Sequence, residues 1–140
     1  MGAAAAVLIQ HRERILLFRR GSTAPWMPGR WNFPGGDSEV GESPIETAIR
    51  ETKEETGYLV RGLRLCLSFQ YSVSSSDIVH FFHTSWFEGT FVRCWENDDH
   101  RWCTREEIVT RDLVPGIRDA VIALDLWKMS TSIDQFRHHW

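Results

Sequence analysis

Apolar positions along the chain fall into short blocks separated by turns, interrupted by three stretches with helical spacing. Residues 3–9 (AAAAVLI) form an unbroken apolar run, which predicts a strand buried on both faces. Residues 10–14 are polar. Residues 15–18 are apolar again and end in Arg19-Arg20, so the two runs predict a hairpin. Gly21, Pro25, Pro28 and Gly29 mark a loop that carries Trp26 and Met27. Trp31, Asn32 and Phe33 predict a short strand running into Pro34-Gly35-Gly36. Residues 58–67 predict another strand, which 68–73 are compatible with extending, and 74–77 predict a turn. Residues 78–87 (IVHFFHTSWF) give the strongest strand pattern of the second half, broken by Glu88-Gly89. Residues 90–95 predict a further short strand, 96–99 an acidic loop and 100–103 a short segment centred on Trp102.

The first helical stretch is bounded at both ends. Ser43 is an N-cap, Pro44 sits at the first helical position, Glu46 completes a Ser-x-x-Glu capping box, and Gly57 suits the left-handed residue past the C-terminus. Within it, Ile45, Ala48, Ile49 and Thr52 are expected to pack against a sheet. Thr104-x-x-Glu107 repeats the capping signal before a short helix. Pro115 precedes a last helix with an apolar stripe of Ile117, Ala120, Val121, Leu124 and Trp127. Strands flanking packed helices predict an α/β fold, with a mixed sheet between helical layers.

Composition narrows the class. A chain of 140 residues, 42% hydrophobic and 25% charged, fits one globular domain over residues 1–140. A net charge of −3 argues against an extended nucleic-acid footprint, so phosphate contacts must come from locally placed arginines. Cys66, Cys94 and Cys103 are odd in number and lack metal spacing; they read as reduced, mostly buried thiols of a cytoplasmic protein. No stretch reaches the ~20 apolar residues of a membrane span, and no basic region precedes the first apolar run as a signal peptide requires.

The candidate chemistry lies at the end of the first helix. Glu51, Glu54 and Glu55 share one face at i, i+3, i+4, and like charges at that spacing cost roughly 0.2–0.5 kcal/mol per pair. A cation over the face removes the cost, and oxygen-only ligands suit Mg²⁺, or Mn²⁺, better than zinc. Arg50 and Lys53 offer a blander account, in which the face is solvated and partly neutralised. The surroundings favour the metal. The stretch from 36 to 58 reads Gly36-x5-Glu42-x7-Arg50-Glu51-x-x-Glu54-Glu55-x-Gly57. At about 7% usage each, those seven letters coincide at roughly 1 in 10⁸ positions. The stretch resembles the Nudix box, the signature of the MutT-like Nudix hydrolases. One position departs from the pattern: Thr52 stands where an aliphatic residue is usual, implying a somewhat weaker packing contact.

The resemblance implies an α/β/α sandwich with the box as a loop–helix–loop at one sheet edge. It implies hydrolysis of a nucleoside diphosphate linked to a further group X by water attack at phosphorus. Glu51, Glu54 and Glu55 would hold metal together with the Gly35 carbonyl, and either Glu51 or Glu54 would double as general base. Arg50 would orient Glu51, with an i,i+4 pair to Glu54 as the alternative. Gly36, Glu42 and Gly57 would support the motif, Glu42 by bracing the loop or reaching a metal through water. Glu96, six residues before Trp102, is the candidate for a further metal ligand, ahead of Asp98 and Asp99. A homodimer is an assembly that many relatives adopt.

Substrate residues are less constrained. Trp31, Phe33 and Tyr71, with Trp26, could stack on a base. Arg19 and Arg20, with Arg14 and Arg30, could meet phosphate oxygens. The resemblance implies that some members hold a guanine through an Asn near the start of the last helix; none lies near Pro115-Gly116-Ile117, which weakens a strict 8-oxo-guanine role. The expected substrate is a nucleoside triphosphate, modified or not; dinucleoside polyphosphates, nucleotide sugars and a non-catalytic nucleotide-binding role are the alternatives.

Overall fold

The computed structural model describes residues 3–71 and 77–137. Its centre is β1 (Ala3–His11), whose residues 5–10 are buried. A turn with Arg12 at φ 57° leads to β2 (Arg14–Arg20), but β1 and β2 pair only beside that turn, at Gln10–Ile15 and His11–Arg14. Beyond it they part. The outer half of β1 takes a different antiparallel neighbour, β4 (Gly35–Asp37), in the register Ala4–Asp37, Ala5–Gly36 and Ala6–Gly35. On its other side β1 runs parallel to β7 (Ile78–Thr84), which pairs with β6 (Arg64–Gln70). Strand β2 pairs with the short β3 (Trp31–Asn32) and with β9 (Asn97–Cys103). The seven strands form one mixed sheet; β5 (Leu59–Arg61) and β8 (Trp86–Glu88) form a separate two-stranded one.

The pleat of β1 sorts its residues into two cores. Ala5, Val7 and Ile9 join Leu16, Phe18, Val60 and Phe82 beneath α1 (Pro44–Thr56), which contributes Ala48. Ala6 and Leu8 join Ile15, Leu17, Phe33 and Phe81 on the opposite face. There α2 (Arg105–Val109) adds Ile108, and α3 (Ile117–Arg137) adds Ile117, Ala120, Val121 and Leu124. A helix layer on each face makes the expected α/β/α sandwich. The first helix lies over the central strand, not at a sheet edge.

Several boundaries differ from the sequence reading. The single strand expected over 58–67 is two, because Gly62 turns the chain at φ 66° between β5 and β6. The strand over 78–87 also divides: the Thr84 hydroxyl bonds the Arg61 carbonyl and accepts from Trp86 N (3.0 Å), redirecting the chain into the small sheet. Residues 90–95 are not a strand, whereas the acidic segment from Asn97 onward is the start of β9. The turn expected at 74–77 falls, apart from Asp77, outside the described residues.

Candidate active site

Helix α1 is held at both ends as its sequence predicts. The Ser43 hydroxyl accepts from Glu46 N (3.2 Å) and the Glu46 carboxylate accepts from Ser43 N (2.9 Å). At the other end, Gly57 adopts φ 81° and donates to the Lys53 carbonyl. The buried face is Thr47, Ala48, Thr52 and Thr56. Ile49 packs at the edge of the core, but Ile45, expected inside, is 45% exposed. Small side chains replace it because α1 lies close on the alanine-rich strand. Thr52 is fully buried and its hydroxyl has no hydrogen-bond partner.

On the outer face, Arg50 is the hub of the loop and the helix. Its Nε donates to Glu42 (2.7 Å), its Nη1 to Glu51 (2.8 Å) and Glu54 (3.3 Å), and its Nη2 to the Asp37 carbonyl (3.0 Å). Arg50 thus contacts Glu51 and Glu54 at the same time. Glu42 also accepts from Thr47 Oγ1 (2.7 Å) and Glu39 N (3.0 Å). Hydrogen bonding from Arg50 foremost, then from Glu39 and Thr47, holds its carboxyl down at about 2. Of the two roles open to Glu42, bracing the loop is the one these contacts describe.

Glu51, Glu54 and Glu55 line one cavity of about 950 Å³ with Gly35, Gly36 and Asp37. Glu55 is the most enclosed. Burial pushes its carboxyl up to about 7, against hydrogen bonds from Gly35 N (3.0 Å) and Asn97 Nδ2 (3.4 Å). Burial also raises Glu51, against its bond to Arg50. The glycines are there for space: a Cβ on Gly35 would overlap the Ala5 carbonyl oxygen, and one on Gly36 would overlap the Glu51 carboxylate. Among the described residues, no three His, Cys or acidic side chains are already gathered into a metal cage. The donor set nevertheless fits a hard divalent cation: oxygen donors only, two of them dehydrated, beside backbone with no side chain in the way. Glu96 and Asp98 reach the same cavity from across the cleft.

Sequence reasoning missed Asp37, Arg93, Trp95 and Asn97, which also line this cavity. None sits at a box spacing. Asp37 arrives through the unforeseen β1–β4 pairing, and the others through the turn into β9.

A second cavity of about 710 Å³ adjoins the first through Arg20, Pro25 and residues 35–37. Trp26 and Tyr71 meet edge to face at its rim (ring centroids 5.7 Å apart), and Asn32 faces it with its Oδ1 accepting from Phe33 N (2.8 Å). Arg20 lies over the Trp26 ring (5.3 Å) and donates to its carbonyl (2.6 Å). Two of the expected stacking residues are elsewhere. Phe33 is buried edge-on against Phe81, and Trp31 is buried between the guanidiniums of Arg19 (5.8 Å) and Arg111 (4.3 Å). Both side chains face the α3 core, so neither ring has a face open to a base. Arg19, occupied over Trp31, lines neither cavity.

The chain is similar to known proteins over most of its length. The family model described as NUDIX domain matches residues 1–124. A CMP-5'-(N-acetyl-N-hydroxy-3-aminopropyl)phosphonate hydrolase of Streptomyces rubellomurinus is 34% identical over 76% of the chain, which spans only 52% of that protein. The CTP pyrophosphohydrolase of Escherichia coli is 32% identical over 79% of the chain and 82% of its own length. Among solved structures, the E. coli ORF135 protein superposes with a TM-score of 0.78 at 28% identity, covering 91% of each chain.

Proposed function

The chain belongs to the Nudix family, and on that footing we propose that it is a Mg²⁺-dependent pyrophosphohydrolase of the cytoplasm, cleaving a phosphoanhydride in a nucleoside diphosphate linked to X. The observation that carries this reading is the convergence of Glu51, Glu54 and Glu55 on one cavity whose floor is kept open by Gly35 and Gly36. Bound Mg²⁺ supplies charge neutralisation for the polyphosphate and a more acidic attacking water. Glu51, Glu55 and the Gly35 backbone would hold it, with Glu96 closing the site from the turn before β9. Glu54 has the side chain most open to cleft water (57% exposed, against 19% for Glu51). It takes the proton as the water oxygen bonds to phosphorus and the bridging P–O bond breaks. Arg50 keeps Glu51 and Glu54 aligned. It does not touch the substrate, because its donors are already committed to protein acceptors.

The base occupies the second cavity against Trp26 and Tyr71. The Asn32 amide nitrogen donates to it, and Arg20 meets the phosphates where the cavities join. Relatives named for CTP and for 8-oxo-dGTP put both nucleotides first on a test panel. Product analysis with Mg²⁺ across nucleoside triphosphates, dinucleoside polyphosphates and nucleotide sugars should show cleavage of a phosphoanhydride in at least one. Folded protein that turns over none of them would overturn the assignment. Glu54→Gln should lower kcat by about 10²-fold or more, measured on the same substrate; a wild-type rate in that variant would remove Glu54 from the mechanism.

A further inference from the structure

We propose that the guanidiniums of Arg19 and Arg111, gathered on Trp31, form a binding site for a phosphate oxyanion outside the carboxylate cavity. The site stands on its own geometry and does not depend on the hydrolase reading.

Trp31 is fixed at the sheet edge from both sides. It pairs with Arg19 across β2 and β3, its N donates to the Asp112 carbonyl (2.8 Å), and its carbonyl accepts from Val114 N (2.9 Å). The guanidinium carbons of Arg111 and Arg19 lie 4.3 Å and 5.8 Å from the centre of its ring. Both arginines are half-buried, and Arg111 Nε is shut off from water without a hydrogen-bond partner among the described residues. Burial raises the Cys103 thiol and the charge of Arg111 acts against it, so this guanidinium also borders the core.

The carboxylates around this cluster belong to other arginines. Asp99, opposite Arg19 in the β2–β9 ladder, pairs with Arg101 (3.3 Å); Asp112 pairs with Arg30 (3.7 Å) and Glu107 with Arg14 (3.0 Å). Among the described residues, no carboxylate forms an ion pair with Arg19 or Arg111. An indole attracts a cation through its ring but carries no charge to cancel it. Two positive groups on one ring repel each other, the more so where water is thinned. A phosphate removes both costs, because its oxygens accept from the planar forks of two guanidiniums at once.

Neither Arg19 nor Arg111 lines either cavity. The next residue of β2, Arg20, lines both, and the β2–β9 register shifts between Arg19 and Arg20. The phosphate site and the cleft therefore share a strand without sharing a side chain.

The test titrates inorganic phosphate into the full chain without Mg²⁺, at constant ionic strength. Proton–nitrogen correlation NMR follows the arginine Nε and tryptophan indole resonances. Those of Arg19, Arg111 and Trp31 should shift together and saturate, while that of Arg20 stays in place. Arg19→Gln should raise the Kd for phosphate about tenfold or more, as loss of a charge-assisted hydrogen bond does. Arg111→Lys, which keeps the charge and removes the fork, should act in the same direction, and Arg20→Gln should bind phosphate as wild type does. The wild-type resonances carry the test even where an Arg111 variant does not fold. A second titration with a nucleoside monophosphate separates the two sources of the group: tighter binding of the monoester assigns the site to an esterified phosphate, weaker binding to the free ion. Shifts that chloride reproduces, that do not saturate, or that are confined to Arg20 and the cleft glycines would overturn the proposal, as would an unchanged Kd in Arg19→Gln.

Discussion

Thr52 of α1 brings a hydroxyl into the core, where none of the described residues accepts its proton. An unsatisfied buried hydroxyl costs roughly 1–3 kcal/mol. Thr52→Val, which keeps the shape and removes the oxygen, should raise Tm by roughly 3–5 °C for each kcal/mol recovered, read by calorimetry; an unchanged or lower Tm would mean the hydroxyl is satisfied in solution. The pattern of the box showed this residue as a packing position. It could not show that its neighbours would offer no acceptor. The same limit explains Trp31 and Phe33. Just ahead of a glycine pair, they read as ligand platforms or, more often for an aromatic, as core, and only the packing against α3 decides for the core. Arg50 was legible because all its acidic partners but Glu39 are fixed letters of the motif, whereas Asp37 became part of the site through a pairing between strands far apart in sequence.

At the scale of the element, α1 is stable because its ends are closed, and its closure is sensitive to acid. Glu42 and Glu46 titrate below the ordinary carboxyl value of 4.5, Glu42 chiefly through Arg50 and Glu46 chiefly through the Ser43 backbone. A depressed folded value means that the stability they confer is fully present above 4.5. It is lost as pH falls toward the folded values, about 2 for Glu42. Thermal midpoints measured from pH 6 down to pH 2 should therefore fall most steeply below pH 4.5. Glu42→Gln should flatten that fall, and a variant as acid-sensitive as wild type would show that other carboxylates dominate. Ser43→Ala should cost about 1 kcal/mol in urea unfolding. Such caps are the most readable part of the chain, since their residues lie within four positions of one another. Strand ends were less readable: β5 and β8 leave their longer neighbours at Gly62 and Thr84, where a single φ angle and one hydroxyl settle the path.

For the whole molecule, a cation and a substrate that bind the folded state alone would raise its stability by mass action. At a free concentration of 100 Kd the gain is about 2.7 kcal/mol. Mg²⁺ with a non-hydrolysable nucleotide should shift Tm upward together, and Glu55→Gln should abolish most of the Mg²⁺ component; the absence of any shift would argue against a metal at this cleft. The sandwich was readable at this scale because alternate residues of one apolar strand must feed two cores. The order of its strands was not. That order makes the first strand wait. Its parallel neighbour is held to it by contacts such as Gln10 to His83 (2.8 Å), side chains 73 residues apart. On a ribosome adding 5–20 residues per second, roughly 4–15 s pass between the synthesis of the two. Through that interval the stretch AAAAVLI has β2, β4 and α1 to cover it, but not its parallel neighbour. The nascent chain thus carries one flank of its most apolar strand uncovered until β7 has emerged.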